Sequence, residues 1–280
     1  MRDVSMGQYY PASSVVHRAD PRFKLVILIL YLVTVFFCDS FFSFGFMTFF
    51  VLVTIFLSRV PILKVLKSLR FVIVILLFTT LLMMIFYSDT SGAAPLAEWG
   101  IFHIYLNGIY SAIKLGWRLM LLVLMPTVLT LTSTPTELCD GLESLLSPLK
   151  LLHIPVHVFA LIMSIALSLI PSLIEETDKI INAQRSRGAA FESRNPFKKI
   201  KAMIPVLIPL FVSSFRRADE LADAMDSRCY RGAKGRTRMK KLKAKLSDFV
   251  ALLFWCAITV CILFLNYNWC GWAFITALGI

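Results

Sequence analysis

Residues Ile154 to Ile174 read IPVHVFALIMSIALSLIPSLI, and Glu175 to Gly188 continue as EETDKIINAQRSRG. The first stretch is 21 residues without a charge, the length of a bilayer crossing; the second opens a strongly basic region. If the apolar stretch crossed a membrane, the basic residues from Lys179 to Lys201 would emerge outside, unless Ala202 to Phe215 crossed back. That return segment has only 14 uncharged residues and contains Pro205 and Pro209, each of which removes a helical hydrogen bond. The expected arrangement is therefore a pair of re-entrant or interfacial helices along the cytoplasmic face, apolar sides toward the bilayer and polar ends reaching down. From about Pro155 to Arg187 and from about Pro196 to Arg228, each would be roughly 48 Å long at 1.5 Å per residue. Two ordinary core helices of a cytoplasmic domain are the alternative, which the large uncovered apolar area opposes.

Outward from this junction the chain is a membrane protein by composition. Its 280 residues are 58% apolar, the mean hydropathy is +0.76, and only 16% of residues are charged, yet the net charge is +12. The cations must therefore cluster outside the spans. Uncharged runs occur at Leu25 to Cys38, Ser40 to Ser58, Phe71 to Ser88, Leu119 to Thr136 and Phe249 to Ile280. The first is short and must borrow Phe23 and a snorkelling Lys24. Asp39 and Ser40 make a tight turn between the first two. No small-residue cleavage signature follows the first run, so that span is expected to double as the insertion signal.

Of the 29 Lys and Arg residues, four precede Leu25, four (Arg59, Lys64, Lys67, Arg70) fill the loop after the second span, and nineteen lie between Thr132 and Ser247. Tyr87 to Asn107 and the tail after Asn266 have none. With the N-terminus cytoplasmic, every loop obeys the positive-inside rule, giving five spans. The expected fold is all-α: about five transmembrane helices plus long cytoplasmic or interfacial helices. Its domains are an N-terminal transmembrane part (1–131), a cytoplasmic part (132–246) and a C-terminal span (247–280). The remaining cations, Lys114 and Arg118, are one turn apart on the fourth span. They either snorkel or pack at its end, or mark a substrate path in a self-contained transporter or channel.

A six-residue pattern occurs twice in the basic region, as AQRSRG from Ala183 to Gly188 and AMDSRC from Ala224 to Cys229. At an offset of 41, Asp178, Ala183, Ser186 and Arg187 match Asp219, Ala224, Ser227 and Arg228. Both copies end comparable helices, the first closed by Gly188 and the second shortly before Gly232, the usual left-handed stop. A guanidinium at a helix tip suits a partner groove, because its planar fork engages carboxylate and carbonyl oxygens together. The small residues Ala183, Ser186, Gly188, Ala224, Ser227 and Cys229 let a partner's backbone approach. Taken singly, each arginine has a plainer role, complementing the helix dipole by about 0.3 to 1 kcal/mol.

Other clusters carry less. His153 and His157 have a metal-compatible spacing, but Pro155 lies between them and no third ligand is near. The six cysteines form no CxxC pair, and most lie in or beside apolar runs, so neither a disulfide nor a metal is expected. Glu175, Glu176 and Asp178 lack a nucleophile or metal cluster and are expected to pair with Lys179 or with basic residues of the second long helix. The basic run from Arg231 to Lys245 directly precedes the last span, where anionic lipid headgroups are the nearer counter-charge than nucleic acid. No GxxxxGK[ST] sequence occurs, so no nucleotide-phosphate loop of that type is expected in this chain. No cofactor is expected.

At these residues the chain resembles the transmembrane T component of energy-coupling factor transporters, the EcfT family of ABC-type vitamin importers. The similarity is dense in LTLTSTPTELCDGLESLLSPLK from Leu129, in EETDKIINAQRSRGAAFE, in FRRADELADAMDSRCYRG and in GRTR. The family's Ala-Arg-Gly signature reads Ser186-Arg187-Gly188 here and, in its second copy, Ser227-Arg228-Cys229. The resemblance implies a non-catalytic, multi-pass scaffold of the bacterial cell membrane, with the N-terminus and coupling domain cytoplasmic. It also implies that Arg187 and Arg228 anchor two ABC ATPase subunits. The apolar faces, among them Phe159, Ile162, Ile165, Leu169, Leu207 and Phe211, would hold a membrane-embedded, substrate-binding S component. The cargo would then be selected by that component and not by this chain.

Overall fold

Asp20 followed by Pro21 starts a helix: the Asp20 carboxylate accepts from the Arg22 amide at 3.0 Å, and proline at the first helical position loses no hydrogen bond. The computed structural model describes residues 9–86, 97–99, 102–148, 155–189, 191, 195–232 and 244–277. Its elements are α1 (Val15–Arg18), α2 (Pro21–Phe36), α3 (Phe41–Ser58), α4 (Ile62–Phe86), β1 (Ala97–Trp99), β2 (Phe102–Ile104), α5 (Leu106–Thr132), α6 (Pro135–Leu145), α7 (Val156–Ser186), α8 (Pro196–Ser227) and α9 (Leu246–Ala277). The chain is an all-α polytopic membrane protein. One small antiparallel hairpin, with Glu98 opposite His103, interrupts the helices and was not foreseen.

Contacts divide the described residues into two units, one drawn from Gly7–Leu142 and Leu242–Ile280, the other from Glu143–Lys241. In the first, α5 packs on α2, α3 and α4, and α9 packs on α2 and α3. Tyr31, Val35, Phe44, Met47, Val51, Leu121 and Ile262 are fully buried. Tyr31 Oη donates to the Leu121 carbonyl at 2.9 Å and meets the Trp255 ring edge-on at 5.6 Å. Trp117 Nε1 donates to Thr48 Oγ1 at 2.8 Å, and the Thr34 and Thr259 hydroxyls pair at 2.9 Å. Such interhelical bonds contribute about 0.6 to 2 kcal/mol each in a bilayer. Phe42, Phe56, Leu63, Val74 and Phe78 are exposed, as side chains that face lipid must be.

Lys24 is buried at the base of this unit. Its ammonium donates to the carbonyls of His17 at 3.3 Å and Thr132 at 3.2 Å, and to Ser133 Oγ at 3.0 Å. Thr132 is the last residue of α5, so the charge also meets the negative end of that helix dipole. The Tyr10 amide donates to the Leu131 carbonyl at 2.9 Å, fixing the N-terminal segment to the same helix end.

One expected span changes its start. The third begins at Ile62 and not at Phe71, so Lys64, Lys67 and Arg70 belong to the first turns of α4 and do not fill a loop. Charges near a helix end look like loop in a hydropathy reading although long cationic side chains can lie along a helix. The fourth runs Leu106–Thr132, longer than the uncharged run Leu119 to Thr136, and carries Lys114 and Arg118 in its first half, as expected of that span. α3, α5 and α9 are each long and apolar enough to cross a membrane, and so is α7; none of the most apolar 18 residues of α7 is buried within the chain. α2, with 16 residues, is about 24 Å long and short for a crossing, as its sequence suggests.

In the second unit, α7 and α8 pack on one another. They are continuous over 31 and 32 residues, about 46 and 48 Å, despite Pro171 in the first and Pro205 and Pro209 in the second. His157 Nδ1 lies 3.0 Å from Glu143 Oε1, joining the start of α7 to the end of α6. His153, Ile154, much of the loop from Tyr87 to Asn107 and most of the basic run from Arg231 to Lys245 lie outside the described residues.

Candidate functional site

The repeated sequence folds into a repeated helix end. At the C-terminus of α7 the Gly188 amide donates to the Arg185 carbonyl at 3.0 Å and the Ala189 amide to the Gln184 carbonyl at 3.0 Å. At the C-terminus of α8 the Cys229 amide donates to Asp226 at 2.9 Å and the Tyr230 amide to Met225 at 3.0 Å. Both pairs are the crossed hydrogen bonds of a Schellman motif, which satisfies carbonyls that a helix end otherwise leaves orphaned. Every partner in the second set lies 41 residues after its counterpart in the first.

Each motif needs one residue in the left-handed region, and the two ends fill that place differently. Gly188 adopts φ 87° and Cys229 φ 55°. The second stop is thus Cys229, and not Gly232 as the glycine pattern suggests. Gly232 also has positive φ, 86°, but lies beyond the motif. A Cβ in this conformation crowds the following carbonyl and costs about 1 to 2 kcal/mol, which Cys229 bears and Gly188 does not.

Arg187 and Arg228 cap these ends with matching backbone angles, φ −84°, ψ 4° and φ −89°, ψ 11°. Both are exposed, and among the described residues no ion pair holds either guanidinium. Their serine neighbours turn inward: Ser186 Oγ donates to the Asn182 carbonyl at 3.1 Å and Ser227 Oγ to the Asp223 carbonyl at 2.8 Å. Ala183 and Ala224 are exposed, and at both tips the arginine is flanked directly by small residues, Ser186 and Gly188 at the first and Ser227 and Cys229 at the second. Such a surface can receive a backbone closely while the guanidinium enters a groove lined by oxygens.

Away from the tips, Phe159, Ile162, Leu207 and Phe211 are exposed, at 62%, 56%, 44% and 62%. Ile165 and Leu169 are half-buried. Met163, Ile204, Ile208, Val212 and Phe215 are exposed too, so the apolar surface is wider than the six residues the resemblance singles out.

Of the two pairings expected for the acidic cluster, the one with the second long helix forms. Arg217 Nη2 donates to Glu176 Oε2 at 3.0 Å, and its Nη1 to Ser172 Oγ at 3.0 Å. Glu176 therefore pairs with the second long helix and not with Lys179. The offset that matches the tips also matches Glu176 to Arg217.

Lys114 and Arg118 are not part of this surface. Arg118 Nη2 donates to the Cys38 carbonyl at 2.6 Å and to Asp39 Oδ1 at 2.9 Å, clamping the turn between α2 and α3. Lys114 Nζ lies 4.9 Å from the centre of the Tyr110 ring, a cation–π distance.

The sequence model of the family described as cobalt transport protein (CbiQ) matches residues 12–239. The chain is 44% identical over 273 residues to the energy-coupling factor transporter transmembrane protein EcfT of Clostridium kluyveri, covering 97% of this chain and 99% of that one. The EcfT proteins of Acidaminococcus fermentans and Bacillus subtilis are each 43% identical, over 96% and 86% of this chain and 98% and 90% of theirs.

Proposed function

This chain belongs to the EcfT family of energy-coupling factor transporter transmembrane proteins, and from that premise we propose that it is the non-catalytic scaffold of such a transporter. Its α7 and α8 couple two ABC ATPase subunits on the cytoplasmic side to an S component held in the bilayer. Arg187 and Arg228 each enter a groove on one ATPase. The apolar surface that includes Phe159, Ile162, Ile165, Leu169, Leu207 and Phe211 receives the S component, whose own pocket selects the vitamin or other micronutrient. ATP hydrolysis belongs to the ATPases, and the N-terminus lies in the cytoplasm with them.

The observation that carries this reading is the duplication of one exposed helix end. Two arginines at matching backbone angles, each flanked by small residues and closed by the same hydrogen-bond motif, fit two copies of one groove better than they fit two unrelated surface roles. The apolar upper surface suits a partner held without directional bonds. Arg118, tied to Asp39 and the Cys38 carbonyl, lends no support to a self-contained transport path through Lys114 and Arg118.

The test is copurification. Each anchor is expected to contribute about 2 kcal/mol or more, so Arg187→Ala with Arg228→Ala should strip ATPase subunits from the detergent-solubilised complex while the S component remains. ATPase retained at normal stoichiometry would refute the coupling role, as would transport by the purified chain alone in liposomes.

A further inference from the structure

We propose that the groove between α1 and the end of α3 binds an anionic phospholipid, with the phosphate held by Arg18 and Arg59 and an acyl chain lying along Phe56 and Leu57. The groove has a volume of about 490 Å³ and is lined by Ser13, Ser14, Val15, Arg18, Phe56, Leu57 and Arg59. Two guanidiniums and the Ser13 hydroxyl, with no acid among the lining residues, select an anion, while the Ser14 hydroxyl is engaged by His17. Val15, Phe56 and Leu57 are 65%, 86% and 46% exposed, so the anion's carrier meets apolar surface. Val15 is also a wall of a second, mostly apolar cavity of about 140 Å³ among α1, α2, α3, α5 and α9. The one ammonium there, Lys24, already donates to three acceptors. An anion binder bordered on two sides by greasy surface fits an amphiphile better than a free phosphate. Basic pockets where helices leave the bilayer are the usual seats of acidic headgroups.

The backbone of Arg59 points the same way. It ends α3 at φ 54°, a conformation glycine adopts freely and other residues adopt with strain. An arginine standing there trades backbone ease for a side chain, and strain of this kind gathers at functional positions. Among the described residues no ion pair holds Arg18 or Arg59.

The inference rests on the membrane reading of this unit and is independent of ATPase coupling. It is tested by native mass spectrometry of the full-length chain in non-ionic detergent, titrated with phosphatidylglycerol or with phosphatidylcholine of the same acyl chains. The wild type should retain one phosphatidylglycerol at concentrations where phosphatidylcholine is not retained. Arg59→Gly, which relieves the backbone while removing one cation, should weaken retention roughly fivefold, and Arg18→Gln with Arg59→Gln about 30-fold. Equal retention by wild type and Arg59→Gly would overturn the proposal. Displacement of the lipid by excess inorganic phosphate would overturn it as well, leaving a simple anion site. Because Arg59 lies outside the coupling helices, Arg59→Gly should leave ATPase copurification intact, which separates failure here from failure of the coupling role.

Discussion

Glu176 and Arg217 meet at 3.0 Å from the same place in the 41-residue repeat. When equivalent positions of two similar segments touch, they sit where an approximate two-fold axis would pass, as in an isologous interface. From this contact to the capping arginine is eleven residues in both helices, about 16 Å along each. The pair thus stands at equal distance from both tips.

Reversing one member, Glu176→Arg or Arg217→Glu, should loosen the packing of α7 on α8, and exchanging the two should restore it. Both side chains are partly solvated, at 25% and 31% exposed, so a double-mutant cycle in thermal unfolding should give a coupling of about 0.2 to 1 kcal/mol. A coupling of zero would mean that apolar contacts alone align the helices.

The left-handed stops make opposite predictions for similar substitutions. Cys229→Gly should stabilise the end of α8 by about 1 kcal/mol, while Gly188→Ala should destabilise the end of α7 by a similar amount. A Cβ at Gly188 would meet nothing within 4 Å, so the second effect is backbone strain and not a clash. Hydrogen exchange at the amides of residues 188, 189, 229 and 230 reads both.

Arg118→Ala should cost about 1 kcal/mol, because it leaves the part-buried Cys38 carbonyl without its donor, while Asp39, 74% exposed, is solvated either way. Arg118→Lys should recover only part of the loss, since an ammonium cannot reproduce the guanidinium fork. If the residue served a transport path instead, the melting temperature would not move and uptake would fall.

Mild acid should loosen the N-terminal segment. His17 Nε2 lies 3.0 Å from the Tyr10 carbonyl, and Nδ1 lies 2.7 Å from Ser14 Oγ. A neutral ring satisfies both by donating to the carbonyl and accepting from the hydroxyl. Burial foremost, and Lys24 nearby, hold the His17 pKa below its ordinary value of 6.5, against the Tyr10 bond and Glu137, which raise it. The unfolded chain therefore binds the proton more readily. The stabilisation is full above about pH 6.5 and is lost as the pH falls below that toward the folded-state pKa. Thermal unfolding followed from pH 7.5 downward should show this slope, and His17→Gln should flatten it.

The spans and the two long helices were legible because uncharged length and charge placement are one-dimensional signals. The helix start at Ile62 was not, because cations on a helix end read as loop. The two arginines were legible as a repeated motif, and Gly188 as a stop. Cys229 was not, since a strained non-glycine stop has no signature in composition. A pairing of Glu176 with the second long helix was legible from charge, but the choice of Arg217 was not: equivalent positions carry opposite charges, so a search for identities passes over them.

The ammonium of Lys24 closes on Thr132 and Ser133, which lie 108 and 109 residues later in the chain. During synthesis this cation emerges long before its acceptors exist, so the N-terminal segment cannot dock until the helix ending at Thr132 has been threaded into the bilayer. Assembly order is thereby written into a single side chain: a segment made early is locked only after about half of the chain has followed it.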